Sequence, residues 1–205
     1  MKKVIIVDDR LERMKLHLST ESLTDLKSLE EDGLLMIATE ISSGKDGINS
    51  VFIDYDIIAV HRSYLANTSM SNSFNEYVKR SNKYFIVFSG GISQSILSNK
   101  GHLLNINSSD FYTPELPGFI KKFCSENGIE SPLLQYLYGD SWRLTLLLQY
   151  RHLLWTYGDI DDIDDDLDEN MAEELHDILW GGDINVSMKD INAEIEIEKE
   201  RRINL

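Results

Sequence analysis

Two adjacent carboxylates, Asp8 and Asp9, follow directly on the apolar run Val4-Ile5-Ile6-Val7. Side by side they repel each other unless a cation or a basic group offsets them, so the pair is a candidate divalent-cation site. His61 closes a second run of the same kind, Ile57-Ile58-Ala59-Val60. An imidazole joined to two carboxylates suits a transition metal better than Mg²⁺, and Asp8, Asp9 and His61 together would make a small metal-dependent hydrolytic or phosphoryl-transfer site. The plainer expectation is that one acid caps the following helix and the other pairs with Arg10, Arg62 or a lysine. His61 is then a strand-end residue hydrogen-bonded to Asp8 or Asp9, with a raised pKa. Ser89-Gly90-Gly91 ends another apolar run and offers backbone N–H groups to an anion. Without a lysine or a longer glycine pattern it reads as a strand-to-helix turn. Cys124 is the one cysteine, expected as a small core hydrophobe in a reducing cytoplasm rather than as a nucleophile.

The elements that must position these groups follow from the hydropathy pattern. Val4–Val7 is an uninterrupted apolar run, too short for a helix and lacking the alternation of a half-exposed strand, so it is expected to be a strand buried on both faces. The spacing of Leu11, Met14, Leu18, Leu26 and Leu29 predicts one amphipathic helix over 11–29, with Gly33 as its terminator. Strands are expected over 34–41, 56–61, 84–88 and, more weakly, 103–106, with a turn at 42–47 and a short helix from Ile48 to Phe52. Residues 62–72 read as a loop leading into a helix over 73–80, and Ile92 to Leu97 as a short helix. Pro117 opens a helix to about Glu126, closed by Asn127-Gly128. Five strands alternating with helices imply a five-stranded parallel sheet with helices on both faces, an α/β fold of the flavodoxin-like kind.

Charge marks a second region. Residues 1–123 hold 14 Lys/Arg and 15 Asp/Glu, whereas residues 124–205 hold 6 and 20, so nearly all of the net −15 lies in the last two-fifths. That region would be repelled by nucleic acid and by anionic lipid, and the shift places a boundary at about 127/128. There is no apolar run of membrane-spanning length, and Met1-Lys2-Lys3 leads straight into a strand rather than a signal peptide, so a cytoplasmic location is expected. The extension, 128–205, is expected to be mainly helical. Ser131-Pro132 starts a helix running to about 157, with Gly139-Asp140 as a candidate interruption; an acidic linker covers 158–170, and further helices cover about 170–180 and 188–203. The acidic run from Asp159 to Glu169 lacks the turn glycine of a calcium loop. Glu173-x-x-His176 is half of a di-iron signature without its second copy, and reads as polarity on a helix surface. Trp142, Tyr150, Trp155 and Trp180 are the candidate partner surface, with self-association as an alternative to packing inside the chain.

The order and spacing over roughly residues 1–125 resemble the receiver domain of bacterial response regulators. Asp8-Asp9 resembles the acidic pair ending that family's first strand, Ser43-Gly44-Lys45-Asp46-Gly47 the turn after the second, Asp56 the acid opening the third, and Ser89 the hydroxyl residue ending the fourth. Two positions depart from it. His61 stands where the resemblance places the phospho-acceptor aspartate, and Asn107-Ser108 where it places a lysine; Lys100 and Lys121 lie too far along the chain to replace it. A receiver needs a carboxylate nucleophile, a shielding Mg²⁺ and a cation for the phosphoryl group. The resemblance therefore implies an altered pocket of Asp8, Asp9, His61, Ser89 and Asn107 with no resident cofactor beyond a divalent cation at Asp8 and Asp9. It implies a phosphorylation-incompetent adaptor that binds a kinase, ATPase or effector, or a second copy of itself.

Overall fold

The computed structural model describes residues 1–41, 48–125, 131–157, 166–182 and 185–203. The chain divides into two compact units, Met1–Leu133 and Leu134–Leu205. The boundary expected near 127/128 and the turn at 42–47 lie outside the described residues, as does most of the acidic run from 159.

The first unit is an α/β unit with β-strands β1 Val4–Val7, β2 Leu35–Ala38, β3 Ile57–His61, β4 Tyr84–Phe88, β5 Ile96–Ser98 and β6 Leu103–Ile106. Its helices are α1 Leu11–His17, α2 Thr20–Glu31, α3 Ile48–Phe52, α4 Thr68–Arg80, α5 Ser108–Phe111 and α6 Leu116–Cys124, with a 3₁₀ turn at Arg62–Leu65. The sheet has six strands in the order β2-β1-β3-β4-β6-β5. The first five strands in that order run parallel, and β5 runs antiparallel to β6. The expectation of five strands is thus corrected. Ile92–Leu97 does not form a helix, because Ile96, Leu97 and Ser98 pair with Asn105, Leu104 and Leu103 to make a hairpin. The turn of that hairpin holds three successive left-handed residues, Asn99, Lys100 and Gly101, at φ 56°, 55° and 78°. The helix expected over 11–29 is also two helices. Leu18 leaves the helical region, and the Ser19 hydroxyl caps α2 by accepting the Ser22 N–H at 3.1 Å.

Side-chain alternation divides the sheet into two faces. Ile5, Val7, Ile58, Val60, Phe85 and Val87 face α3 and α4 and pack with Phe52, Phe74 and Val78. The Phe74 and Phe85 rings meet edge to face at 5.6 Å, and each fully buried ring contributes about 2–3 kcal/mol. On the opposite face Phe88 stacks on Phe111 at 4.3 Å and Tyr84 meets Phe123 of α6 edge-on. The Cys124 thiol is buried in this layer, and burial pushes its pKa up to about 11, so it is a packing group and not a nucleophile.

The amino-terminal end of the sheet is tied by two polar clasps. Asp56 accepts the Lys3 N–H at 2.8 Å. The Lys83 ammonium donates to the carbonyls of Phe52 at 2.9 Å, Ile53 at 2.7 Å and Tyr55, three acceptors released where α3 ends.

The second unit is helical, with α8 Trp142–Tyr157, α9 Asp166–Trp180 and α10 Met188–Ile203; α7 Pro132–Tyr138 crosses the division between the units. A 3₁₀ turn at Gly139–Ser141 separates α7 from α8, so the helical stretch expected from 132 to 157 is interrupted at the candidate position, Gly139-Asp140. Both α9 and α10 pack on α8. Ile191 and Ile195 form the buried side of α10, and Glu198 meets Arg143 of α8 at 3.3 Å. None of the described helices is long and apolar enough to cross a membrane.

Replacing Lys83 with Met keeps the stem and removes three charge-assisted hydrogen bonds. Lys83→Met is expected to lower unfolding free energy by about 2 kcal/mol, read as a lower urea midpoint at unchanged slope.

Candidate functional site

The geometry at Asp8 and Asp9 follows from strand register. Val7 pairs with Val60, so the next residues, Asp8 just after β1 and His61 closing β3, lie side by side. The chain turns to β2 on one side of β1 and continues through β3 on the other, so these carboxyl ends lie at the point where the strand order reverses, a usual place for ligands in such sheets. Alternation puts Asp8, His61 and Phe88 on one face, and the His61 ring lies edge-on to Phe88 at 5.4 Å.

Asp8 is fully buried. Its Oδ1 accepts the Arg10 N–H at 3.0 Å and a short hydrogen bond from the Arg13 guanidinium, while its Oδ2 accepts the Tyr112 hydroxyl at 2.8 Å. Asp9 is half-exposed, and its Oδ1 accepts both Arg13 terminal nitrogens at 3.0 Å and the Ser63 hydroxyl at 2.7 Å. Arg13 therefore spans the pair, one turn into α1, at the i+4 position from Asp9. The cation that two neighbouring acids require is a side chain of this chain. Burial pulls the Asp9 carboxyl upward, but the Ser63 and Arg13 hydrogen bonds and the charges of Arg13 and His61 hold it below the usual value.

His61 Nδ1 lies 2.6 Å from the Ser63 hydroxyl and 3.2 Å from the Ser63 N–H, which it accepts as the cap of the 3₁₀ turn. Asp9 Oδ1 is 3.5 Å away. Ser63 thus sits between His61 and Asp9, unlike a nucleophile triad in which the imidazole occupies the middle. The raised pKa expected of His61 is corrected. Burial first, and then the Arg13 charge, push it below the ordinary value against the pull of Asp8 and Asp9. The imidazole is neutral at pH 7.

One ligand atom each from Asp8, Asp9 and His61 lies within 4.8 Å of the others, a spacing that suits a metal ion. The Arg13 guanidinium shares those carboxylate oxygens, so a metal there competes with a tethered cation. Among the described residues neither acid pairs with the Arg10 or Arg62 side chain, contrary to the expectation; of Arg10, Asp8 meets the backbone N–H, and Arg13 is the paired cation. Arg13, Ser63 and Tyr112 are the members that sequence reasoning missed. The i+4 spacing of Arg13 from Asp9 was the available signal, whereas Tyr112 lies 104 residues from Asp8.

Ser89 and Asn107 serve the neighbouring loop. The Ser89 Oγ accepts the Gly91 N–H at 3.3 Å. Asn107 caps α5 by accepting the Ser109 N–H at 3.0 Å, and its amide donates to the Ile92 carbonyl at 2.7 Å. Asn107 stitches the β4–β5 loop to α5 and supplies no charge. In the second unit, Tyr150 is buried and packs against Trp180 at 5.1 Å, and the His176 ring meets both, at 5.9 and 5.7 Å. Tyr150 thereby leaves the expected partner surface for the helical core, and His176 is an aromatic packing residue rather than surface polarity. Trp142 and Trp180 are half-buried, and Trp155 stays 78% exposed.

Arg13→Met leaves a fully buried carboxylate without its cation and is expected to cost about 3 kcal/mol in urea unfolding, with part recovered in the double variant Asp8→Asn/Arg13→Met. The depressed pKa of His61 means that the unfolded chain takes up this proton first as pH falls. Its contribution is complete above about pH 6.5 and is lost as pH drops through the lower folded value. The urea midpoint should fall between pH 7 and pH 5, and His61→Gln should flatten that slope. Comparison of the chain with protein-family models, curated proteins and solved structures finds no match among any of the three.

Proposed function

We propose that the chain is a receiver-like signalling adaptor whose altered pocket takes no aspartyl phosphate and which acts by binding another protein. The observation that carries this reading is Arg13 bound across Asp8 and Asp9, with His61 at the strand end where a receiver holds its acceptor. A guanidinium already fills the place of the shielding cation, and a neutral imidazole replaces the nucleophile. Asn107, bound to backbone, leaves the lysine's role unfilled. Support for the fold behind the reading comes from strand order: without the hairpin strand β5, the parallel strands follow the doubly wound order of flavodoxin-like sheets. The partner is a kinase, ATPase or effector of the same system, with a second copy of the chain as the alternative, in a cytoplasmic setting. The exposed Trp155 on α8 supports a protein contact by the second unit.

The second reading is a metal-dependent hydrolase or phosphoryl-transfer enzyme at Asp8, Asp9 and His61, favoured by their mutual spacing within 4.8 Å. One set of amide spectra separates the two. With Mg²⁺ and BeF₃⁻ or acetyl phosphate, the resonances of Asp8, Asp9, His61 and Ser89 are expected to stay in place, and Mn²⁺ is expected to broaden none of them selectively. Saturable shifts with BeF₃⁻ would sink the adaptor reading. Selective broadening by Mn²⁺ that Asp8→Ala removes would establish the metal site instead.

A further inference from the structure

Beside the Asp8–Arg13–Asp9 cluster lies an open groove of about 800 Å³, bounded by the carboxyl ends of β3, β4 and β6, the 3₁₀ turn and α4. That volume is in the range of small-molecule sites, and it opens where doubly wound sheets hold ligands. Its floor is the outer side of the first core layer: Phe74 and Val87 are core, with Leu65 and Leu103 packed against them, and Ile96 of β5 forms a half-exposed wall. Around this apolar floor stand Arg62, Ser71, Asn75 and Asn105. None of these four side chains has a hydrogen-bond or ion-pair partner among the described residues, whereas the polar groups of the acid pair, of Asn107 and of Lys83 are all engaged. No lining residue is acidic, and Arg62 brings a full positive charge.

We propose that this groove binds a small organic monoanion with a flat or branched apolar body, its anionic group held by Arg62, its apolar part on Phe74, Leu65 and Ile96, and its polar edge on Asn105 and Ser71. Charge decides the class. A guanidinium without a carboxylate partner at the rim favours an oxyanion that it can grip with two N–H groups. A polyanion finds only one Lys or Arg in this lining, so nucleic acid is disfavoured and a single charge is preferred. An uncharged ligand would leave Arg62 unused, and a cation would face it with no acid in the lining. The hairpin is what completes the site, because β5 supplies the Ile96 wall at the far side from α4. The groove borders the altered pocket through His61, Ser63 and Ser89, but the contacts proposed for the ligand use none of these three.

The test uses the full-length chain and two dyes of similar apolar body, anilinonaphthalene sulfonate with one negative charge and neutral N-phenylnaphthylamine. The sulfonate dye is expected to bind at one saturable site, with amide shifts at Arg62, Ser71, Ile96 and Asn105. Arg62→Gln, an exposed position, should weaken the sulfonate dye about tenfold and leave the neutral dye unchanged. Ile96→Asp should weaken both dyes, and unchanged urea midpoints show that both variants fold. Absence of saturable binding, or binding that neither variant alters, overturns the assignment.

Discussion

Two carboxylates on consecutive residues at the end of a fully buried strand cannot both stay ionised without a positive partner. Arg13 is that partner, and its guanidinium joins the buried Asp8 to the half-exposed Asp9. Much of the local architecture follows from this one requirement. Helix α1 must begin close behind β1, so that its first turn brings residue 13 back over the strand end. The second oxygen of Asp8 must find a donor in the buried layer, which draws Tyr112 from beyond β6 and fixes α5 on that face. Asp9 then has capacity for Ser63, and through it the first turn after β3 is set beside β1. The end of β1, the first turn of α1, the turn after β3 and the residue after α5 are thus held by one charge network.

A cation attached to the backbone differs physically from one in solution. A bound metal exchanges with its pool and can leave empty acids behind; a guanidinium four bonds from its own helix stays at high local concentration whatever the medium contains. The energetic state of Asp8 and Asp9 is therefore set by folding rather than by ionic composition. The neighbouring imidazole is neutral for the same reason, since Arg13 opposes a second positive charge where burial already disfavours one.

Most of the sheet was legible in the sequence because its central strands are uninterrupted apolar runs bounded by polar residues. Val4–Val7, Ile57–Val60 and Phe85–Phe88 are covered on both faces, and no other element accommodates so short and dense a pattern. The hairpin strand was not legible, since Ile92, Ile96 and Leu97 carry the spacing of a helical turn as readily as that of a strand. Pairing with β6 decided between them, and that is tertiary. At the site, Asp8, Asp9 and His61 could be placed together because a parallel sheet delivers its strand ends to one edge. Tyr112 gave no local sign, and the direction of the His61 shift depended on the ring lying under Phe88 beside Arg13. Tyr150 and Trp180 were read as surface because aromatic content alone does not say which helix face finds a partner first.

The strand β5 has a further consequence. A parallel sheet left open at β6 would present a free row of backbone N–H and C=O groups, a template on which a neighbouring chain can add a strand. Three residues turned back antiparallel occupy that row and leave a new border too short to propagate. The tight left-handed turn at Asn99, Lys100 and Gly101 is the conformational cost of that closure. At this border, association by continuing the sheet is disfavoured, and any assembly of this unit has to be built from side chains rather than from backbone ladders.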